Sequence, residues 1–448
     1  MPLIGAVADD LTGATTTGVL LARSKARTAV FFNEEAAEKA EGVDQLDAIL
    51  ISSNSRPLPA NEAYDKVTSA TLALKRMGVK YFSKRIDTTL RGGVGVEIDA
   101  MLDHVDEDAV AVVVPAMPQS RRILVGGYSV IDGVALINTP VAHDVRTPVT
   151  ENYIPKLLSG QTRRKIGLVT LSHVLDGQEA IRDALKEQRQ EGCEVIVVDA
   201  ITLEDVEEIA KACIELKWNV VAVDPGPFTS KLAYYRDLIQ EEAPNVPDDI
   251  DESGKTVLIA AGSATPITKK QMEVLCQDPR HVRISVEPIP LVEGGETAMA
   301  EVDRAVHMAR ELLDSTNPPR AILFETALHG ELLNLDEEDN KRHYAGGMSA
   351  NRINAGLGSI IAQVLEYCGQ DRIAGLYTTG GDTMVNVCYQ LGAQCIELLD
   401  YVIPQTDIGR LVGSYDGLPV VGKGGLTGND HTACDIVDRL FREATRKN

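Results

Sequence analysis

Short apolar runs ending in polar or glycine-rich turns alternate with polar helical stretches along the whole chain, and this constrains the fold more than any other feature. In the first half the runs are Leu3–Ala8, Arg27–Phe32, Ala48–Ser52, Tyr81–Lys84, Ala109–Val114, Lys165–Thr170, Glu194–Val198 and Asn219–Val223. In the second half they are Thr256–Ala261, His281–Val286, Ala321–Glu325, Ile373–Thr378, Gln394–Leu399 and Leu418–Gly422. Helical patterns such as Pro59–Met77, Gly177–Gln190 and Ala350–Tyr367 lie between them. Strand–helix alternation with continuous apolar strands is the signature of a parallel sheet covered on both faces. The expected fold is α/β, in two lobes, each a mainly parallel sheet flanked by helices, with the active site in the cleft between them. The acidic, proline-containing stretch 241–255 reads as a linker between residues 1–240 and residues 256–448. A chain of 448 residues is long enough to build two such cores.

Charge narrows the partners. Lys plus Arg number 44 and Asp plus Glu number 66, a formal balance of −22 that argues against nucleic acid or an anionic membrane surface. An anionic small molecule would need a local basic pocket, because the global field repels it. The seven cysteines are scattered without zinc-ligand spacing and read as small core residues in a reducing compartment. The sequence carries neither a secretory leader nor an apolar run of bilayer-spanning length, so a cytoplasmic protein is expected. A homodimer is expected on base rate alone.

The first polar strand end is Asp9-Asp10-Leu11-Thr12-Gly13-Ala14. A buried parallel strand delivers both carboxylates to the carboxyl edge of the sheet, where ligands of open α/β sheets bind. The Thr12–Thr17 stretch can open a helix whose N–H groups face the same crevice. Carboxylates beside hydroxyls suit a polyhydroxylated substrate or a metal. A second cluster, Lys84-Arg85-Ile86-Asp87-Thr88-Thr89-Leu90-Arg91-Gly92-Gly93, also follows a strand. Its guanidinium forks suit a carboxylate, and its Asp and hydroxyls suit sugar hydroxyls, although a capped, solvated turn would look the same. Asn54-Ser55-Arg56-Pro57 is a third, weaker site of this kind.

The second half has its own strand ends: Gly262-Ser263-Ala264-Thr265, Thr379-Gly380-Gly381-Asp382-Thr383 and Gly422-Lys423-Gly424-Gly425. Glycine lets backbone N–H groups approach an oxyanion closely, so together these turns would make a phosphate cradle. The chain has no Gly-x-x-x-x-Gly-Lys-Ser/Thr loop, and its first strand is not followed by Gly-x-Gly-x-x-Gly. A nucleotide would therefore be held by other loops.

These motifs, in this order, resemble those of the four-carbon acid sugar kinases, which phosphorylate threonate, erythronate or 3-oxo-tetronate with ATP. Asp9 to Ala14 matches the family's opening motif, Ser55-Arg56 its "SR" turn, and Lys84 to Gly92 its K-x-I-D-S-T-L-R-G motif with Thr88 in place of Ser. Asp224-Pro225-Gly226-Pro227-Phe228 matches the end of its first domain. Gly262-Ser263, Gly380 to Thr383 and Lys423-Gly424-Gly425 match its nucleotide domain. The resemblance implies an acid-sugar domain followed by a nucleotide domain. It places Asp9, Asp10 and Asp87 in catalytic positions, with Thr12, Ser55, Arg56, Lys84, Arg85, Thr88, Arg91 and Arg122 toward the sugar acid. Ser263, Gly380, Gly381, Asp382, Thr383, Lys423, Gly424 and Gly425 would face ATP, whose phosphates Mg²⁺ would bridge. The acid's carboxylate would pair with Arg56, Arg85 and Arg91. Which Asp serves as base stays open, as do the metal ligands.

Two stretches depart from the family. Its usual P-A-F-P-x-x-G-R-T-T is Pro115-Ala116-Met117-Pro118-Gln119-Ser120-Arg121-Arg122-Ile123-Leu124 here, keeping only the Arg122 cation of the last four positions. Its usual D-P-L-T-P is Asp144-Val145-Arg146-Thr147-Pro148. These changes leave the identity of the acid open and admit a rival reading as a non-catalytic sugar-acid sensor. A phosphatase of haloacid-dehalogenase type is a further rival, but its Asp-x-Asp-x-Thr turn is replaced by Asp9-Asp10-Leu11-Thr12.

Overall fold

Each apolar run read from the sequence is a strand in the computed structural model, which describes residues 2–446 other than 145, 248, 251–253 and 331. Val145 and four positions of the acidic stretch 241–255 therefore lie outside the described residues. The chain divides after Ala243 into two units.

In the first unit the strands are β1 (Ile4–Ala8), β2 (Thr28–Phe31), β3 (Ala48–Ser52), β4 (Tyr81–Arg85), β5 (Val110–Val113), β6 (Arg122–Val125), β7 (Tyr128–Ile131), β8 (Val134–Ala135), β9 (Ile166–Val169), β10 (Val195–Val198) and β11 (Val220–Asp224). The main sheet runs β2-β3-β1-β4-β11-β5-β10-β9, parallel throughout. Its central strands are apolar because helices cover both faces: every residue of β1, β3 and β10 is buried. Helices are held by their apolar stripe. Gln178–Gln190 buries Ile181, Ala184 and Leu185, one side of a helix that is otherwise polar. Those residues join Val112, Ile196, Ile209 and Phe228 in one core cluster, and Trp218 packs against its margin. Each fully buried aliphatic or aromatic side chain there contributes roughly 1.5–3 kcal/mol.

Between β5 and β9 the chain leaves the sheet to make a separate antiparallel β6-β7-β8 ribbon. Its strands are only partly buried, with Val125, Tyr128 and Val134 exposed, and the sequence reading did not include them. The turn Gly126-Gly127 is pinned by Asp199, whose carboxylate accepts both backbone N–H groups at 2.6 and 2.8 Å.

The second unit contains β12 (Thr256–Ala261), β13 (His281–Ser285), β14 (Ala321–Glu325), β15 (Ile373–Thr379), β16 (Ala393–Ile403), β17 (Thr406–Gly413) and β18 (Pro419–Lys423). Their order is β13-β14-β12-β15-β18-β17-β16. The first five are parallel, and β17 and β16 extend the sheet antiparallel. The sequence reading found only the first half of β16 and missed β17. The reason is composition: β17 carries Thr406, Asp407 and Arg410 among its apolar residues, and the first two are buried. The strands β12, β14 and β15 are instead apolar except at their ends, and the sequence reading matches their bounds to within about a residue. The order β13-β14-β12-β15 repeats β2-β3-β1-β4 of the first unit.

Among the described residues no helix is long and apolar enough to cross a membrane, and all seven cysteines are free.

Candidate functional site

In each unit the chain runs from one central strand out to one side, then returns to the other side. From β1 it builds β2 and β3, then crosses to β4; from β12 it builds β13 and β14, then crosses to β15. Connections diverge at such a switch point and leave a crevice at the carboxyl ends of the two strands. The strand-end motifs read from the sequence fall at these two places.

In the first unit Asp10 is the N-cap of the helix Leu11–Arg23: its backbone is extended and its Oδ1 accepts the Gly13 N–H at 2.7 Å. Arg56, from the turn after β3, donates through Nε to Asp9 Oδ2 at 2.6 Å and pairs through Nη1 with Asp10 Oδ2 at 2.7 Å. Arg85, the last residue of β4, reaches both carboxylates with Nη1, at 3.2 Å from Asp9 and 3.3 Å from Asp10. Gly13 makes this approach possible, because a Cβ there would sit 1.7 Å from Arg85 Nη1. Two residues beyond β4, Asp87 Oδ2 accepts Arg91 Nε at 2.7 Å and the Thr89 hydroxyl. Arg91 also reaches Asp144 Oδ2 at 3.3 Å. Burial pushes the Asp9 and Asp87 carboxyls up, but the Arg56 guanidinium and its neighbours outweigh it. Asp9 is held below the usual carboxylate range and Asp87 far below it. Arg122 opens β6, with Nη1 donating to the Ser120 carbonyl at 2.9 Å. Thr12 is half-buried on the first helical turn, and Thr88 is nearly buried.

Two residues expected at the substrate lie beneath the edge instead. Lys84 has no exposed surface: its Nζ pairs with Glu97 Oε2 at 2.7 Å and donates to the carbonyls of Arg85 at 2.7 Å and Val7 at 3.3 Å. Ser55 is equally buried and donates to Glu97 Oε1 at 2.5 Å. Both point inward because the strand or turn that carries them presents the neighbouring arginine outward. Glu97, in the helix Val94–Leu102, was not foreseen. The available signal was a pair of carboxylates, Glu97 and Asp99, on an otherwise apolar, buried helix, close in sequence to a lysine at the end of an apolar strand.

In the second unit Gly262-Ser263 follow β12, Gly380 follows β15, and Lys423 ends β18. The turns are tied together. Gly380 N–H donates to the Lys423 carbonyl at 2.9 Å, and the Thr265 hydroxyl donates to the Gly425 carbonyl at 2.6 Å. The Thr383 hydroxyl donates to Asn354 Oδ1 at 2.7 Å, and a Cβ on Gly262 would lie 2.1 Å from that hydroxyl. Gly381, Asp382 and Thr383 form the first turn of the helix Gly381–Gln390, so its free N–H groups face the same edge. Lys423 Nζ donates to the carbonyls of Gly424 at 2.8 Å and Thr427 at 3.3 Å and has no carboxylate partner among the described residues. Burial pulls its ammonium down to about 8. Beside Gly262 lies a hollow lined by Thr326, Leu332, Leu333, Leu335, Ile353 and Asn354, mostly apolar with one hydroxyl and one amide. No group of three or more His, Cys, Asp or Glu among the described residues is arranged to hold a metal. Asp382, exposed at the head of its helix, is the carboxylate that the three turns offer.

Two family models cover most of the chain: a sugar-binding N-terminal domain over residues 4–232 and a nucleotide-binding C-terminal domain over residues 258–433. The chain is 36% identical over 443 residues to the D-erythronate kinase of Heliobacterium modesticaldum, covering 98% of each. It is 29% identical over 435 residues to the D-threonate kinase of Salmonella typhimurium, covering 96% of each. A solved structure from Salmonella typhimurium LT2 has the same fold, with a TM-score of 0.79 at 21% identity over 97% of this chain and 99% of that one.

The Lys84–Glu97 pair yields a stability prediction. Glu97→Ala leaves a buried ammonium unpaired and should destabilise the first unit by about 3–5 kcal/mol, whereas Lys84→Met with Glu97→Leu should recover most of that loss. Urea titration followed by circular dichroism measures both. A change of less than about 1 kcal/mol in Glu97→Ala would show that the pair is solvated rather than buried.

Proposed function

The chain belongs to the four-carbon acid sugar kinase family, and we propose that it transfers the γ-phosphoryl group of ATP to a hydroxyl of a four-carbon sugar acid of the threonate, erythronate or 3-oxo-tetronate type. The observation that carries this reading is the contrast between the two switch points. One is lined by aspartates and arginines suited to hydroxyls and a carboxylate, and the other by glycine turns and an unneutralised lysine suited to phosphates.

In this reading the first unit holds the acid. Thr12, Thr88 and the aspartates take its hydroxyls, and one of Asp9, Asp10 or Asp87 orients the attacking hydroxyl and receives its proton. The arginines 56, 85, 91 and 122 set the local potential against the chain's negative field. The second unit holds ATP. N–H groups of Gly381, Gly424 and Gly425, the Ser263 hydroxyl and Lys423 stabilise charge on the phosphates, Gly380 and Thr383 hold the turns through the Lys423 carbonyl and Asn354, and the hollow beside Gly262 takes the base. The donor set fits a nucleotide-borne Mg²⁺, which Asp382, the carboxylate among these turns, would help to hold. When bound, Mg²⁺ neutralises phosphate charge. Seven free thiols support a reducing, cytoplasmic setting.

A coupled assay of ADP release with Mg-ATP and D- and L-threonate, D-erythronate and the 3-oxo-tetronates tests the reading. One four-carbon acid should give ADP release that depends on the acid. Gly13→Ala, which forces Arg85 away from Asp9 and Asp10, should lower turnover by about 10²-fold or more while ATP affinity stays unchanged. ATP binding with no ADP released across the panel would favour the sensor reading.

Lys423 predicts a pH dependence. Its free-state ammonium titrates near 8, and bound phosphates favour the charged form. Nucleotide affinity should therefore be full below pH 8 and fall as pH rises above it, by at most about tenfold per unit. Calorimetric titration at pH 7, 8 and 9 measures the slope, which should vanish in Lys423→Met.

A further inference from the structure

At the first unit's edge the carboxylate oxygens of Asp9, Asp10 and Asp144 each face an arginine or a backbone N–H, three of the arginines face aspartates, and two groups depart from this pattern. Asp9 gives Oδ1 to Arg85 and Oδ2 to Arg56. Asp10 gives Oδ1 to the Gly13 N–H and Arg85, and Oδ2 to Arg56. Asp144 gives Oδ1 to the N–H groups of Arg146 and Thr147, and Oδ2 to Arg91. Asp87 differs: Arg91 and Thr89 both bind Oδ2, and no described residue donates to Oδ1. The cations show the same pattern. Arg56, Arg85 and Arg91 each hold two carboxylates. Among the described residues Arg122 holds none: its bond runs from Nη1 to the Ser120 carbonyl, and its Nε, like that of Arg85, is buried without a partner. Asp87 and Arg122 are also neighbours electrostatically, since Asp87 is foremost among the charges that act on this guanidinium.

We propose that the sugar acid spans these two groups, its carboxylate on the unpaired donors of Arg122 and its reacting hydroxyl on Oδ1 of Asp87. This rests on the kinase reading above and revises one part of it, the assignment of the carboxylate to Arg56, Arg85 and Arg91. A carboxylate docking on any of those three competes with an aspartate already bound there, and a displaced buried aspartate is costly. Docking on Arg122 displaces no aspartate and gives that guanidinium a carboxylate partner, which the other three already have. A related contrast selects Asp87: its Oδ1 accepts from no described residue, whereas a hydroxyl on Asp9 or Asp10 would share its oxygen with an arginine.

In the transfer, the bond from the sugar oxygen to the γ-phosphorus forms and the bond from that phosphorus to the β–γ bridging oxygen breaks, releasing ADP. The hydroxyl proton passes to Asp87 Oδ1 and then to solvent. A carboxylate held this far down is a weak base. Asp87 therefore orients the hydroxyl first and receives the proton late, once the new oxygen–phosphorus bond has made it acidic, as a loose phosphoryl-transfer transition state allows.

The test uses the four-carbon acid turned over by the wild-type protein and the neutral four-carbon polyol of matching stereochemistry. Arg122→Ala should raise KM for the acid by about 10²-fold, leave KM for ATP within about twofold, and shrink the preference for acid over polyol by the same factor as the KM change. Arg122→Lys should recover part of the loss, and thermal melts of both variants show whether each is folded. Asp87→Asn should lower kcat by about 10²–10⁴-fold while the acid's Kd changes only a few-fold. An unchanged KM for the acid in folded Arg122→Ala or Arg122→Lys overturns the carboxylate assignment, and an unchanged kcat in Asp87→Asn overturns the hydroxyl assignment. Failure of the kinase reading is seen separately, as absence of ADP release by the wild-type protein with every acid. In that case calorimetry with D-erythronate alone decides: binding that is lost in folded Arg122→Ala supports the anchor, and binding that persists overturns it.

Discussion

An ammonium without exposed surface must have a partner, and in this protein the partner sits under the site. Lys84 and Glu97 form a buried ion pair whose remaining capacity is used by the Val7 and Arg85 carbonyls and the Ser55 hydroxyl. Those contacts join β1, β4, the turn after β3 and the helix Val94–Leu102. Asp9 and Asp10 follow β1, Arg85 and Asp87 lie at the end of β4, and Arg56 adjoins Ser55. One pair thus fixes the relative heights of the groups that make the edge. Its net contribution to stability is small compared with an apolar replacement; its effect is on position.

The two units reach the same topology by the same strand order and dress it differently. At the first switch point, charged side chains supply the chemistry and a single glycine, Gly13, makes room for Arg85. At the second, the backbone supplies it, and side chains such as Thr265 and Thr383 hold the turns in place. This difference matches the ligands proposed. A sugar acid is recognised by directional bonds to several hydroxyls and one carboxylate. A polyphosphate is recognised by many N–H donors at short range.

Most of this was legible in the sequence, for a physical reason. Parallel strands buried on both faces must be apolar along their length, so β1, β3, β12 and β14 stand out, and the residues that follow them stand at the carboxyl edge by topology. Side-chain direction was less legible. Lys84 and Arg85 are adjacent and chemically alike, yet alternation along β4 sends one into the interior and the other to the edge. Nothing local says which until Glu97 is placed. The ribbon β6-β7-β8 and the strand β17 were missed because antiparallel strands do not need apolar residues on both faces. The pairing of each arginine with two aspartates is a three-dimensional property, so the sequence alone suggested free cations where the structure has neutralised ones.

The closed bookkeeping of Asp9, Asp10, Arg56 and Arg85 restricts how such a chain can change over generations. Replacing any one of the four leaves this largely buried group with an unbalanced charge, so single steps within it carry a penalty that a compensating second step removes. Residues 117–124 and 144–148 carry no such obligation to that group, and they are where this sequence departs from the family pattern. Divergence in the acid accepted should therefore run through these margins, in single steps, while the quartet is inherited as one unit.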